Sequence, residues 1–141
     1  YPIDGSNILG LLLAAFSIKS IDVTFHCNWD LYKIKENCTE KYEREIFNQL
    51  LCESNFKIQD SIDIETILDK MSNSKIPILP LHFNGKGHFS PLLGKNLNNL
   101  QFAFNVDLQG LKVKLDYFKL KMWNSEMPMN SCIWIEKKLG Y

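Results

Sequence analysis

The stretch GKGHFSPLLG sets His88 between a glycine pair and an apolar run. Imidazole is the side chain best suited to moving a proton near neutral pH, so His88 is the first candidate for a general base. Farther along, FNVD supplies the polar pair Asn105 and Asp107. The chain has four cysteines, Cys27, Cys38, Cys52 and Cys132, and thiolates are the natural nucleophiles for acyl transfer. None belongs to a C-x-x-C pair, and no group of His and Cys has ligand spacing, so neither a metal nor any other cofactor is expected. His26 and Cys27 are adjacent and would diverge in direction.

The same residues have plainer readings. Asn105 and Asp107 suit a turn ahead of Gly110, Asp4 suits a helix N-cap, and His82 reads as structural. Trp123, Trp134 and Phe118 read as core.

The elements that must position these groups follow from hydrophobic spacing. In GSNILGLLLAAFSI, residues Ile8, Leu11, Leu12 and Ala15 fall on one helix face, with Asp4 and Ser6 at its start. From Ile21 to Asn37 the pattern is mixed and aromatic and assigns no element. Thr39 can cap a second helix with Tyr42, Ile46, Phe47 and Leu50 inward. The spacing of Ile64, Ile67, Leu68 and Met71 predicts a third. After Asn73 the chain turns strand-like, through IPILPLHF, HFSPLLG, LQFAFNVD and GLKVKL. A short helix over Asp116–Trp123 interrupts the series before SCIWIEK closes it. Pro77, Pro80 and Pro91 argue for edge positions or strand ends, since proline cannot donate to a ladder. The expected fold class is α+β, with N-terminal helices packed on one side of a C-terminal, mostly antiparallel sheet.

Composition bounds the rest. The 141 residues, 45% of them hydrophobic, suit a single domain over 1–141. Sixteen basic residues balance sixteen acidic ones, so no overall field attracts nucleic acid or anionic membrane. Ile8–Phe16 is too short to span a bilayer and lacks the features of a signal peptide. Reduced cysteines and a cytoplasmic location are expected.

GHFSP, the apolar helix after DGS, and the KLDYFKLKMW–SCIWIEK ending together resemble the papain-like cysteine peptidase fold. The likeness is to the bacteriocin-processing peptidase domains of ABC exporters and to phytochelatin synthase. The resemblance implies a base at His88, an orienting Asn105 or Asp107, and ligand-binding positions at Gly5, Ser6, Gly87, Phe89 and Ser90. It also places Asp4 where the family has its nucleophilic cysteine, and the oxyanion-hole glutamine upstream of Tyr1. A carboxylate is a poor nucleophile toward amides, although at a helix start it can pair with a protonated His88. The implied function is therefore a catalytically degenerate domain that binds a peptide or an acyl-carrier-bound substrate, set among other domains of a transport or biosynthetic protein. The alternative is an active thiol peptidase or acyltransferase that uses His88 with Ser6, Cys27 or a replaced cysteine.

Overall fold

The computed structural model describes residues 20–27, 31–36, 41–83, 86–103, 110–123 and 131–138. The first described element is a strand, β1 (Ile21–Cys27), in which Ile21, Val23, Phe25 and Cys27 are buried and Asp22, Thr24 and His26 are half-exposed. Two helices follow, α1 (Leu31–Glu36) and α2 (Lys41–Leu51), and the chain returns as β2 (Phe56–Gln59). β2 lies parallel to β1, with Val23 opposite Phe56 and His26 opposite Gln59. Then come α3 (Ile64–Lys70), β3 (Lys75–Phe83), β4 (Lys86–Asn96), β5 (Asn99–Phe102) and β6 (Leu111–Lys114). A single turn, α4 (Leu115–Tyr117), runs into a π turn over Phe118–Met122, and β7 (Ser131–Lys137) is last.

The strands form one seven-stranded sheet in the order β2-β1-β7-β3-β4-β5-β6. All neighbours are antiparallel except β1 and β2. β7, inserted between β1 and β3, is buried from Ser131 through Trp134. This is the continuous burial expected of a central strand with both faces covered.

Alternation along the strands sorts the core into two clusters. On one face, Leu79, Leu81, Leu92, Leu100, Phe102, Cys132 and Trp134 pack with Ile64 and Ile67 of α3 and with Phe118 and Trp123. On the other, Val23, Phe25, Phe56, Ile78 and Ile133 pack with Ile34 of α1 and with Phe47 and Leu50 of α2. Each fully buried side chain of this size contributes about 1.5–3 kcal/mol of transfer free energy, so both helical layers are held mainly by these contacts.

This arrangement corrects the expected α+β, papain-like fold class. Strands precede and separate the described helices, helices cover both faces of the sheet, and the sheet is mixed. The physical reason lies in β1. Its Ile-x-Val-x-Phe-x-Cys alternation gives it one fully buried face, and the α1–α2 crossover returns β2 alongside it in parallel. The predicted helix over GSNILGLLLAAFSI lies outside the described residues.

The other expected elements mostly appear. α3 opens at Asp63, whose carboxylate accepts the Thr66 amide at 2.7 Å and caps the helix. Ile64 and Ile67 are buried as their spacing predicts, while Met71 falls at the C-cap beyond the last turn. Tyr42 of α2 is 59% exposed and does not join the inner face.

The prolines are not at the outer edges, since β3 is central. Pro77 pairs with Trp134 of β7 one residue before pairing with β4 begins at Ile78, and Pro80 pairs only with Phe89 of β4. Pro91 likewise precedes the first β4–β5 pair at Leu92. Pro77 and Pro80 stand where their strand has a ladder partner on one side only, whereas the Pro91 carbonyl also accepts the Ala103 amide, and the Ala103 carbonyl takes the Ser90 hydroxyl where Pro91 has no N–H to give.

Among the described residues, no helix is long and apolar enough to cross a membrane.

Candidate functional site

β4 carries the sequence-predicted residues that fall within the described chain. His88 lies opposite Leu81, and Gly87 opposite His82; of His88 and Gly87 the backbone alone is described. Phe89 is half-buried and packs against the α1–α2 core cluster. Ser90 is buried, and its hydroxyl donates to the carbonyl of Ala103. The Ala103 amide in turn donates to the Pro91 carbonyl at 2.9 Å. Ser90 thus fastens β4 to the end of β5, and its polar group is already satisfied inside the fold. Asp4, Gly5, Ser6, Asn105 and Asp107 lie outside the described residues, so no constellation around His88 is assembled from them here.

The two buried cysteines among those described lack the environment of a nucleophile. Cys132 is fully buried opposite His26, and burial drives its thiol far above the ordinary range, with Lys75 only partly opposing. A reactive cysteine needs the reverse, a stabilised and accessible thiolate. Cys27 is buried in the second core cluster, and Cys52 is exposed just past α2.

A different site emerges at the carboxyl ends of the parallel pair. Residues alternate along β1, so burying Val23, Phe25 and Cys27 on one face turns His26 to the other, half-exposed. Gln59 ends β2 beside it. The chain then runs through Asp60, Ser61 and Ile62 to the Asp63 cap, and α3 brings Thr66 and Lys70 over the same region. Together with Ile58 these residues line an open cleft of about 610 Å³. That volume lies within the roughly 300–1,000 Å³ common for small-ligand sites. In open α/β sheets, ligands characteristically bind beyond the carboxyl ends of parallel strands, where loops diverge.

The His26 ring is anchored in this cleft by a hydrogen bond to the backbone. Its Nδ1 donates to the carbonyl oxygen of Asp60 at 2.7 Å. A carbonyl can only accept, so the ring proton resides on Nδ1 and Nε2 carries the lone pair. Burial lowers the pKa of His26 below its ordinary 6.5; the bond to Asp60 opposes this, and Lys70 and Lys75 reinforce it. The imidazole is therefore neutral at neutral pH, and no described residue takes up its Nε2. Asp63 remains ionised to lower pH than an ordinary carboxylate because the hydroxyl and amide of Thr66 both bind it.

The cleft can therefore accept hydrogen bonds at Nε2 and at two carboxylates, and can donate from Lys70. Among the described residues, no hydroxyl or thiol is hydrogen-bonded to His26, and no group of three His, Cys, Asp or Glu is placed to hold a metal ion.

The chain matches no family model, no curated protein and no solved structure. Function must be argued from the site.

The sequence alone does not single out His26, because Ile21 to Asn37 assigns no element and the adjacent His26 and Cys27 lack ligand spacing. The available signal was the alternation in IDVTFHC, which sets His26 opposite in phase to four apolar residues.

Proposed function

We propose that the protein is a binding domain that holds a peptide or other small polar substrate without reacting with it, in the cleft between His26 and α3. The observation that supports this most is the fixed His26 ring: its Nδ1 proton is committed to the Asp60 carbonyl, which leaves Nε2 as an oriented acceptor on the cleft wall. An acceptor whose tautomer is fixed in advance loses little freedom on binding, which favours recognition. A peptide suits the lining better than a carrier-borne acyl chain, because Gln59, Asp60, Ser61, Asp63, Thr66 and Lys70 offer hydrogen bonds and charge while Ile58 and Ile62 supply the only aliphatic side chains. The test is an amide-resolved NMR titration with a mixture of synthetic tripeptides, each incubated mixture then weighed by mass spectrometry. Shifts confined to His26 and residues 58–70, with every peptide recovered intact, are expected. Cleavage products, or shifts confined to other parts of the chain, would overturn the reading.

A further inference from the structure

We infer that the cleft beside His26 recognises a primary ammonium group, as on the amino terminus of a peptide or a free amino acid. This assignment rests on the binding reading above and names the ligand chemistry of that same cleft.

Three observations carry it. The first is the acceptor excess of the lining. Asp60 and Asp63 bring two carboxylates to the lining and Lys70 one ammonium, with Lys75 and Lys119 acting on His26 and Asp63 from beyond it, and His26 presents Nε2 as a further acceptor. A bound group that brings hydrogen-bond donors pairs with these acceptors, whereas one that brings acceptors must share the donors of Gln59, Ser61 and Lys70. The second is where those acceptors originate. His26 belongs to β1, Asp60 to the β2–α3 connection, and Asp63 to the cap of α3. An ammonium has three donors arranged about one centre, which suits acceptors that separate elements bring to one cleft.

The third is the internal wiring. The Asp60 carbonyl is used by His26 and one Asp63 oxygen by the Thr66 amide. The Thr66 hydroxyl binds the Asp63 carboxylate as well, so the Asp60 carboxylate is left as the charged acceptor, and charge-assisted bonds are the stronger class. Lys70, on the last turn of α3, gives the cleft one cationic group for the carbonyl or carboxylate that follows the ammonium in an amino acid or peptide.

The closing experiment uses the same tripeptide mixture in two forms, with free amino termini and after N-acetylation, each titrated into the whole protein by amide-resolved NMR. Acetylation removes the charge and two of the three donors while leaving the side chains untouched. The expected result is that free peptides shift His26 and residues 58–66 and that the acetylated set binds at least ten-fold more weakly. Asp60 is exposed, so Asp60→Asn leaves packing intact and should weaken binding of the free peptides by a similar factor. Equal response to both forms would overturn the ammonium assignment while leaving the binding reading standing. No response to either would overturn both.

Discussion

His26 and Asp60 are joined across the end of the parallel strand pair: the imidazole Nδ1–H meets the Asp60 carbonyl at 2.7 Å, linking β1 to the segment that leads into α3. The bond fixes the tautomer, while burial favours the neutral ring. The combination has a consequence for stability. Above pH 6.5, the ordinary value, His26 is neutral in both the folded and the unfolded chain, so it adds no pH dependence. As the pH falls through that value, the unfolded chain takes up a proton that the folded protein still refuses. His26 therefore makes the fold less stable on acidification, until its own lower folded pKa is reached. Urea unfolding measured from about pH 8 down to about pH 5 should show a decline that His26→Gln reduces. An unchanged pH slope in the variant would show that His26 titrates alike in both states.

Gly110 precedes β6 with φ at +80°, and a Cβ there would lie 2.5 Å from the carbonyl oxygen of Phe102 and 2.8 Å from Nε2 of Gln101. The amide can rotate away, but the strand carbonyl cannot. Gly110→Ala should cost about 1–3 kcal/mol for the left-handed backbone, and the clash with Phe102 adds to it. Equilibrium unfolding reads this directly. An alanine variant as stable as the parent chain would mean that the β5–β6 connection takes another path.

Leu97 presents the opposite case. It forms the β4–β5 turn with Asn98, between paired Asn96 and Asn99, at φ 54° and with 86% of its surface exposed. A left-handed leucine is strained by about 1–2 kcal/mol relative to glycine, and its exposure means that little packing offsets this. Glycine loosens the unfolded chain and returns about 0.4–1 kcal/mol of the gain. Leu97→Gly should therefore stabilise the protein by about 0.5–1 kcal/mol. Leu97→Asn, which tolerates the same backbone with a smaller entropic loss, should do at least as well. Thermal denaturation of the two variants checks both, and a loss of stability in each would show that the leucine has a packing role.

How much of this was legible in the sequence depends on how far each signal reached along the chain. Ile64 and Ile67 disclosed their helix because helical spacing is a local property. SCIWIEK disclosed a strand, but not that β7 would lie between β1 and β3, since strand order is set by contacts remote in sequence. IDVTFHC held the strict alternation of a half-buried strand, yet its aromatic, polar surroundings drew the reading away from it. β2, only four residues long, offered too short a pattern to announce a parallel partner. Pro77 and Pro80 argue for edge positions or strand ends, whereas they lie within a central strand at positions paired on one side only. His26 was hidden for the same reason as β1, and the peptidase-like motif around His88 lies on a strand whose Ser90 serves the fold.

The thiols provide a test that joins fold to chemistry. Cys52 is exposed beyond α2, whereas Cys132 is shut between the sheet and α3, with burial holding its thiol far from ionisation. Alkylation requires both access and thiolate. Brief treatment of the native protein with iodoacetamide should modify Cys52 well before Cys132, and urea should bring their rates together. Peptide mapping by mass spectrometry resolves the two sites. Rapid native labelling of Cys132 would contradict its position opposite His26 in the closed core, because a thiol packed among Ile64, Ile67 and Trp134 reacts only when the α3 layer lifts from the sheet.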